Sequence, residues 1–253
     1  MTQTIASSSL GSSRLIRYIA DLSVCNPELT HKQFAERLGS LIDFSDSILL
    51  SAAHMNLTTL SFEPTSESSR NVADEFLRVR TGLVQNIIKG TTPDAEPPRI
   101  KLPSPLRGAT PEELLNFENY HRFYALHQRD MDLKIQHLRH QVREEIGIIS
   151  PSLAQLSVLD GAISDTLLVH TRRFFAVVPR LLERRFKALY ESHCNHQGSL
   201  GLEDNPENWL RPGGWLARVY KDIQGLLLAE LDVRIQPVIG LIEALNKEVE
   251  TGL

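Results

Sequence analysis

The sequence predicts an all-α protein: a small helical N-terminal domain, a proline-rich linker and an elongated antiparallel three-helix bundle. Three observations carry that prediction. Apolar residues recur at spacings of three and four along most of the chain. N-cap, proline and glycine signals bracket those runs. No sustained alternation, no Asn-Gly hairpin signal and no βαβ rhythm competes with them, and no internal repeat of about 20 to 50 residues points to a solenoid.

Taken in order, residues 1–12 are rich in Ser and Thr and are expected to be a mobile N-terminus. The helical N-terminal domain is placed at 13–90. Leu15, Ile16, Ile19 and Leu22 share one helical face until Asn26-Pro27 breaks the run. Thr30 with Gln33 reads as a capping box, and Phe34, Leu38, Leu41 and Ile42 follow at helical spacing. Asp43 to Ser47 either interrupts that helix or lets it run on through Ile48, Leu49, Ala52 and Met55. Residues 57–69 read as a loop. A helix over about 70–89 carries Val72, Phe76, Val79, Leu83 and Ile87 in its stripe.

Residues 90–111 hold six of the 13 prolines, a density that no helix or central strand survives. The linker is placed at 91–111, as a semi-rigid spacer; Pro-rich segments also serve as ligands for aromatic grooves. The bundle is placed at 112–250. Its first helix opens on Thr110-Pro111-Glu112-Glu113, an N-cap, proline at N1 and two acids in the first turn, and runs to about Ile146. Phe117, Tyr124, Met131 and Leu138 repeat every seven residues, with His121, Gln128, Ile135 and Val142 at the complementary positions. Gly147 ends it. Ser150-Pro151 caps the second helix, expected to about Cys194. The third runs from about Gly214 to Val249, its stripe from Leu216 to Val249 averaging about 3.67 residues per turn. Pro179 and Pro237 fall inside these patterns, and each must kink or break its helix.

Composition narrows function. The chain has 253 residues, 42% hydrophobic, enough to bury a core without a disulfide or metal staple. Lys plus Arg is 27 and Asp plus Glu 31, a net −4 that excludes a wholesale polycation but not a local basic patch. Two cysteines, Cys25 and Cys194, exclude a disulfide scaffold and a four-thiolate zinc site. The N-terminus lacks a basic start followed by an apolar run, and no stretch of about 18 apolar residues spans a membrane. A cytoplasmic protein with reduced thiols is expected.

No dinucleotide, P-loop, nucleophile-elbow, zincin or Cys-x-x-Cys motif is present. Arg211-Pro212-Gly213-Gly214 reads as the loop into the third helix rather than an anion cradle. His193, Cys194 and His196 resemble zinc ligands with His137 and His140, but the expected register puts the two groups at opposite ends of the bundle. Glu118-x-x-His121 is half of a di-iron motif whose second copy is missing. A metalloenzyme site would fall on Glu118, His121 and His170. The expectation is no metal, no cofactor and no enzyme, with His121 and His170 as core histidines.

The most distinctive charge feature is Arg172, Arg173, Arg180, Arg184, Arg185 and Lys187, accompanied by one acid, Glu183, over residues 172–187. Arg173, Arg180, Arg184 and Lys187 are expected on one face, at offsets of 7, 11 and 14, while Phe175, Val178, Leu182, Phe186 and Leu189 make a different, apolar one. One reading is a contact surface for an anionic partner. The other is internal pairing, because the antiparallel register puts positions 180 and 184 level with about 116 and 112, near Glu112, Glu113 and Glu118. These six cations are the candidate partner-binding residues.

Phe34-Ala35-Glu36-Arg37-Leu38, then Ile42 to Ile48 and Leu50 to Ala53, resembles the N-terminal signature of an uncharacterised bacterial family of unknown function. Tyr120 to Tyr124, Ser150-Pro151, Val178 to Phe186 and Leu226 to Leu245 continue the resemblance over nearly the whole chain. It brings no catalytic residues. It implies a helical cytoplasmic protein that meets a protein partner in an envelope-associated complex, and the long apolar stripes of the bundle would admit a helix from a partner or a second copy. A binder of nucleic acid or anionic lipid through residues 172–187 is the alternative.

Overall fold

A computed structural model of the protein describes residues 14–15, 17–18, 44–58, 62, 71–93, 101–200 and 205–251. Every regular element among the described residues is helical, so the all-α expectation holds. The expected mobile N-terminus, the Thr30 capping box, the Phe34–Ile42 stripe and Cys25 lie outside the described residues.

The helices are α1 (Phe44–Thr58), α2 (Val72–Thr91), α3 (Pro111–Leu115), α4 (Phe117–Gly147), α5 (Pro151–Phe175), α6 (Val178–Leu200), α7 (Trp215–Arg234) and α8 (Gln236–Thr251), with short 3₁₀ turns at Pro105–Arg107 and Pro206–Asn208. Local chemistry sets their ends. Asn71 caps α2, its Oδ1 accepting from the N–H groups of Ala73 and Asp74. Thr110 and Glu113 form a reciprocal capping box on α3. Ser150 Oγ accepts from the Leu153 N–H at the start of α5.

Three expected helices are broken. The first stops at Leu115 and restarts at Phe117, because Asn116 is extended and its Oδ1 accepts from the Glu118 N–H. The second breaks at Ala176–Val177 and the third at Ile235. Pro179 and Pro237 account for these. Neither has an N–H for the carbonyl four residues back, and each becomes the second residue of a new helix. The first free donors after each proline, Arg180 and Val238, turn back to the Val177 and Ile235 carbonyls at 3.1 Å.

Backbone contacts sort the chain into two compact units. Of the described residues, the first holds those within 14–18, 83–130 and 176–233, and the second those within 44–82, 131–175 and 234–251. The segment expected as an N-terminal domain, 13–90, is therefore divided between them, and so is 112–250.

The first unit has an aromatic core. Tyr120 of α4 lies 5.1 Å from Phe186 of α6, which lies 5.3 Å from Trp215 of α7; Trp209 is 5.3 Å from Trp215. These ring separations are those of offset and edge-to-face pairs, which add to the apolar burial. Helix α7 is buried nearly all round, with Leu216, Val219, Ile223, Leu226 and Leu227 among its core residues. Gly225 lets it lie against Tyr18, since a β-carbon there would stand 2.5 Å from the phenol oxygen. The Tyr120 hydroxyl donates to the Leu114 carbonyl at 2.8 Å, and burial pushes its pKa up, so it stays a neutral donor. Part of the expected linker belongs to this unit. Leu102 and Ser104 are each 1% exposed, and the Leu102 N–H donates to the Gly90 carbonyl.

The second unit is organised differently. Helices α1 and α8 both pack against α5. Met131, Ile135, Leu138, Val142 and Ile146 supply a buried stripe from α4. Beside it Asp160 is gripped by Arg139, whose Nε donates at 2.8 Å, and by Arg143 at 3.5 Å. Asp132 bridges Arg172 at 3.1 Å and Arg234 at 3.2 Å, and the Arg234 guanidinium stacks 4.0 Å over Phe175. His170 meets Asp46 at 3.4 Å.

Candidate functional site

The six cations singled out in the sequence do not form one stripe. The offsets that align them hold only for an unbroken helix, and the chain breaks at Ala176–Val177. Arg172 and Arg173 end α5 in the second unit, whereas Arg180, Arg184, Arg185 and Lys187 belong to α6 in the first.

On α6 the remaining pattern is clean. Val178, Leu182, Phe186 and Leu189 are buried. Arg180, Arg184 and Lys187, at i, i+4 and i+7, are exposed along another face. Lys187 Nζ donates to Glu183 at 2.7 Å, and this hydrogen bond and charge, with a smaller contribution from His121, hold the Glu183 carboxyl below its usual range. Arg185 turns the other way and pairs with Asp222 at 3.3 Å. Burial pushes Asp222 up, against the opposing pull of Arg185. Arg173, Arg180 and Arg184 make no ion pair among the described residues.

Internal pairing thus accounts for Arg172, Arg185 and Lys187. The acids are Asp132, Asp222 and Glu183, not the expected Glu112, Glu113 and Glu118, although Arg180 and Glu118 border one surface cavity with His121 and Glu183. Arg180 nevertheless makes no ion pair among the described residues, while Glu118 meets His121 at 3.7 Å. His121 is exposed and is not a core histidine. The buried histidine of α4 is His127, packed on Phe123 with ring centroids 4.5 Å apart. The buried positions 120, 124, 127 and 131 step by four, three and four, so the stripe passes through 127 and leaves 121 outside.

Neither metal reading assembles. Among the described residues no group of three His, Cys, Asp or Glu side chains is placed to hold an ion. His193 lies against the Trp209 and Trp215 rings, while Cys194 and His196 are exposed on α6. His140 pairs with Glu144 at 3.2 Å. No described helix is long and apolar enough to cross a membrane.

Sequence reasoning missed Glu230. It is 0% exposed on α7, accepts from the Tyr124 hydroxyl at 3.0 Å, and takes the Gln128 amide at 3.0 Å on both oxygens. A carboxylate here is tolerable because donors meet it. The signal was present: Glu230 is the lone acid between Leu226 and Leu231, within a run otherwise apolar.

No curated protein and no solved structure gives a match to this chain. A family model described as "Protein of unknown function (DUF3348)" matches residues 1–247, in agreement with the family resemblance read from the sequence. With nearly its whole length covered by that match, the chain belongs to the DUF3348 family.

Proposed function

We propose that this protein is a non-enzymatic interaction protein that engages an acidic segment of a protein partner through α6. The observation that carries this reading is the exposed row Arg180, Arg184 and Lys187, in which neither arginine makes an ion pair among the described residues. Cations of one sign grouped on one face raise the local concentration of an anionic partner and orient its approach. The helix beneath is anchored by its buried apolar side, so the row is presented on a fixed support. Arg173, on α5, is a separate contact point in this proposal. An accessory role in an envelope-associated assembly is the setting that the family resemblance implies. The protein acts in the cytoplasm in this reading.

Affinity capture of the tagged full chain from its host lysate, with nuclease, tests it against the double variant Arg180→Glu/Arg184→Glu. A stoichiometric co-purifying protein is expected with the wild type and is lost with the variant. Helicity and melting stay nearly unchanged, since both side chains are exposed. Retention of the partner by the variant overturns the reading. Capture that disappears with nuclease, with a steep salt dependence, favours the second reading, a polyanion binder using the same row.

A further inference from the structure

The segment 101–109 closes over the early turns of α4 and leaves a cavity of about 470 Å³, inside the size range of small-molecule sites. Its polar lining is unbalanced. Lys101 and Arg122 border it, both are exposed, and neither makes an ion pair among the described residues. Among the described residues one acid borders it, Glu113, whose carboxylate accepts the Thr110 N–H at 3.0 Å. The Asn119 amide is turned to the Glu113 carbonyl at 2.9 Å.

Ser104 supplies the independent observation. It borders the same cavity, is 1% exposed, and its Oγ has no hydrogen-bond partner among the described residues. It stands at the N-cap of the 3₁₀ turn Pro105–Arg107, where a serine hydroxyl ordinarily accepts a backbone N–H, yet it makes no capping bond. Buried hydroxyls are normally satisfied, so an orphan beside two free cations marks a place for an acceptor. The loop that carries it is held in shape. Leu102 is buried, the Tyr220 hydroxyl donates to the Pro103 carbonyl, and the Ala109 N–H donates to the Ser104 carbonyl at 3.2 Å. Gly108, at φ +76°, takes the left-handed turn that lets the chain double back. Phe123 and Leu126 give the cavity an apolar wall.

The geometry points to a binding site for a small organic anion. Its phosphate or carboxylate lies between Lys101 and Arg122 and accepts from the Ser104 hydroxyl, and its apolar part rests on Phe123 and Leu126. Lysine and arginine are the side chains that hold such groups by charge-assisted hydrogen bonds. The site shares no residue with the α6 row, so either proposal stands or falls alone.

Calorimetric titration of the full chain with phenyl phosphate, benzoate and inorganic phosphate tests it. Saturable binding of phenyl phosphate or benzoate is expected, and whichever binds identifies the acidic group. Lys101→Gln and Arg122→Gln, at exposed positions that leave melting unchanged, each weaken it about tenfold, the value of one charge-assisted contact. Ser104→Ala weakens it about fivefold. No saturable binding of either organic anion up to about 10 mM overturns the proposal, since fragment-sized ligands bind measurably in that range. Equal affinity in the Lys101→Gln/Arg122→Gln double variant overturns it too. Inorganic phosphate binding as tightly as phenyl phosphate overturns the organic class of ligand.

Discussion

Helix α7 buries eleven of its 20 residues, while the slightly longer α5 buries five of its 25, two of which are Ser164 and Thr166. The difference marks two ways of holding a helix. Around α7 the neighbours are rings and branched aliphatic chains, and the buried surface runs nearly all the way round. Around α5 the buried stripe is narrow. Val169 and Phe174 remain half exposed, and the helix is tied down by carboxylate–guanidinium contacts, Asp160 to Arg139 above all. Apolar burial is non-directional and tolerates rearrangement. A largely buried ion pair is directional: its worth depends on both partners being present. The lesson is that two units of one all-helical chain can have different weak points.

The largest effect should come from the aromatic side. Trp215 is buried, and its ring stands against Phe186, Tyr190, His193 and Trp209. Trp215→Ala leaves a large void in that cluster and is expected to cost about 4 kcal/mol in urea denaturation. A loss below about 1 kcal/mol would break the comparison, because α7 would then not depend on its rings. Next comes Asp160→Ala. Arg139 and Asp160 side chains are 11% and 12% exposed, so removing the carboxylate strands Arg139, and Arg143 beside it, in a poorly solvated place. Among the described residues Arg139 keeps only its Nη1 donation to Ser164 Oγ at 3.2 Å, and the expected cost is about 3 kcal/mol in the same measurement. If Asp160→Ala proves nearly neutral, the ion pairs around α5 are decoration and the contrast between the units fails.

Much of this was legible in the sequence and some was not, for definable reasons. Helix identity followed from periodicity, and caps such as Thr110 with Glu113 and Ser150 are where their chemistry put them. Pro179 and Pro237 announced the two later breaks. Asn116 did not, because a single short polar residue within a periodic run looks the same whether its side chain faces solvent or caps a new helix. The six cations did not form one row because helical offsets were carried from Arg173 to Arg180 across the break that Pro179 announces, while Arg180, Arg184 and Lys187 stay in line on α6. His121 and His127 were separable only once the stripe through Tyr124 and Met131 had a direction. Glu230 was visible as an acid in an apolar run, but Tyr124 and Gln128, its partners over a hundred positions earlier, were not. The orphan hydroxyl of Ser104 is a tertiary fact with no local signature.

The smallest effect sharpens the comparison most, because it concerns the ion pair that sits in the aromatic unit. Asp222 pairs with Arg185, yet burial outweighs that attraction and its carboxyl titrates above the usual range. A carboxyl with a raised folded pKa binds its proton more tightly folded than unfolded. Its favourable contribution is therefore fully present below the unfolded pKa and is lost as pH rises through the folded pKa. Asp222→Asn keeps a neutral side chain of the same shape at every pH. The variant is expected to be as stable as the wild type or slightly more so at neutral pH, with the gap closing as both are acidified through the carboxylate range. Because the other carboxyls are common to both proteins, the difference isolates this one group. Urea midpoints of the pair across pH read it out. If Asp222→Asn is instead less stable at neutral pH, the Arg185 attraction outweighs burial, and the ring-rich unit relies on ion pairing as the other unit does.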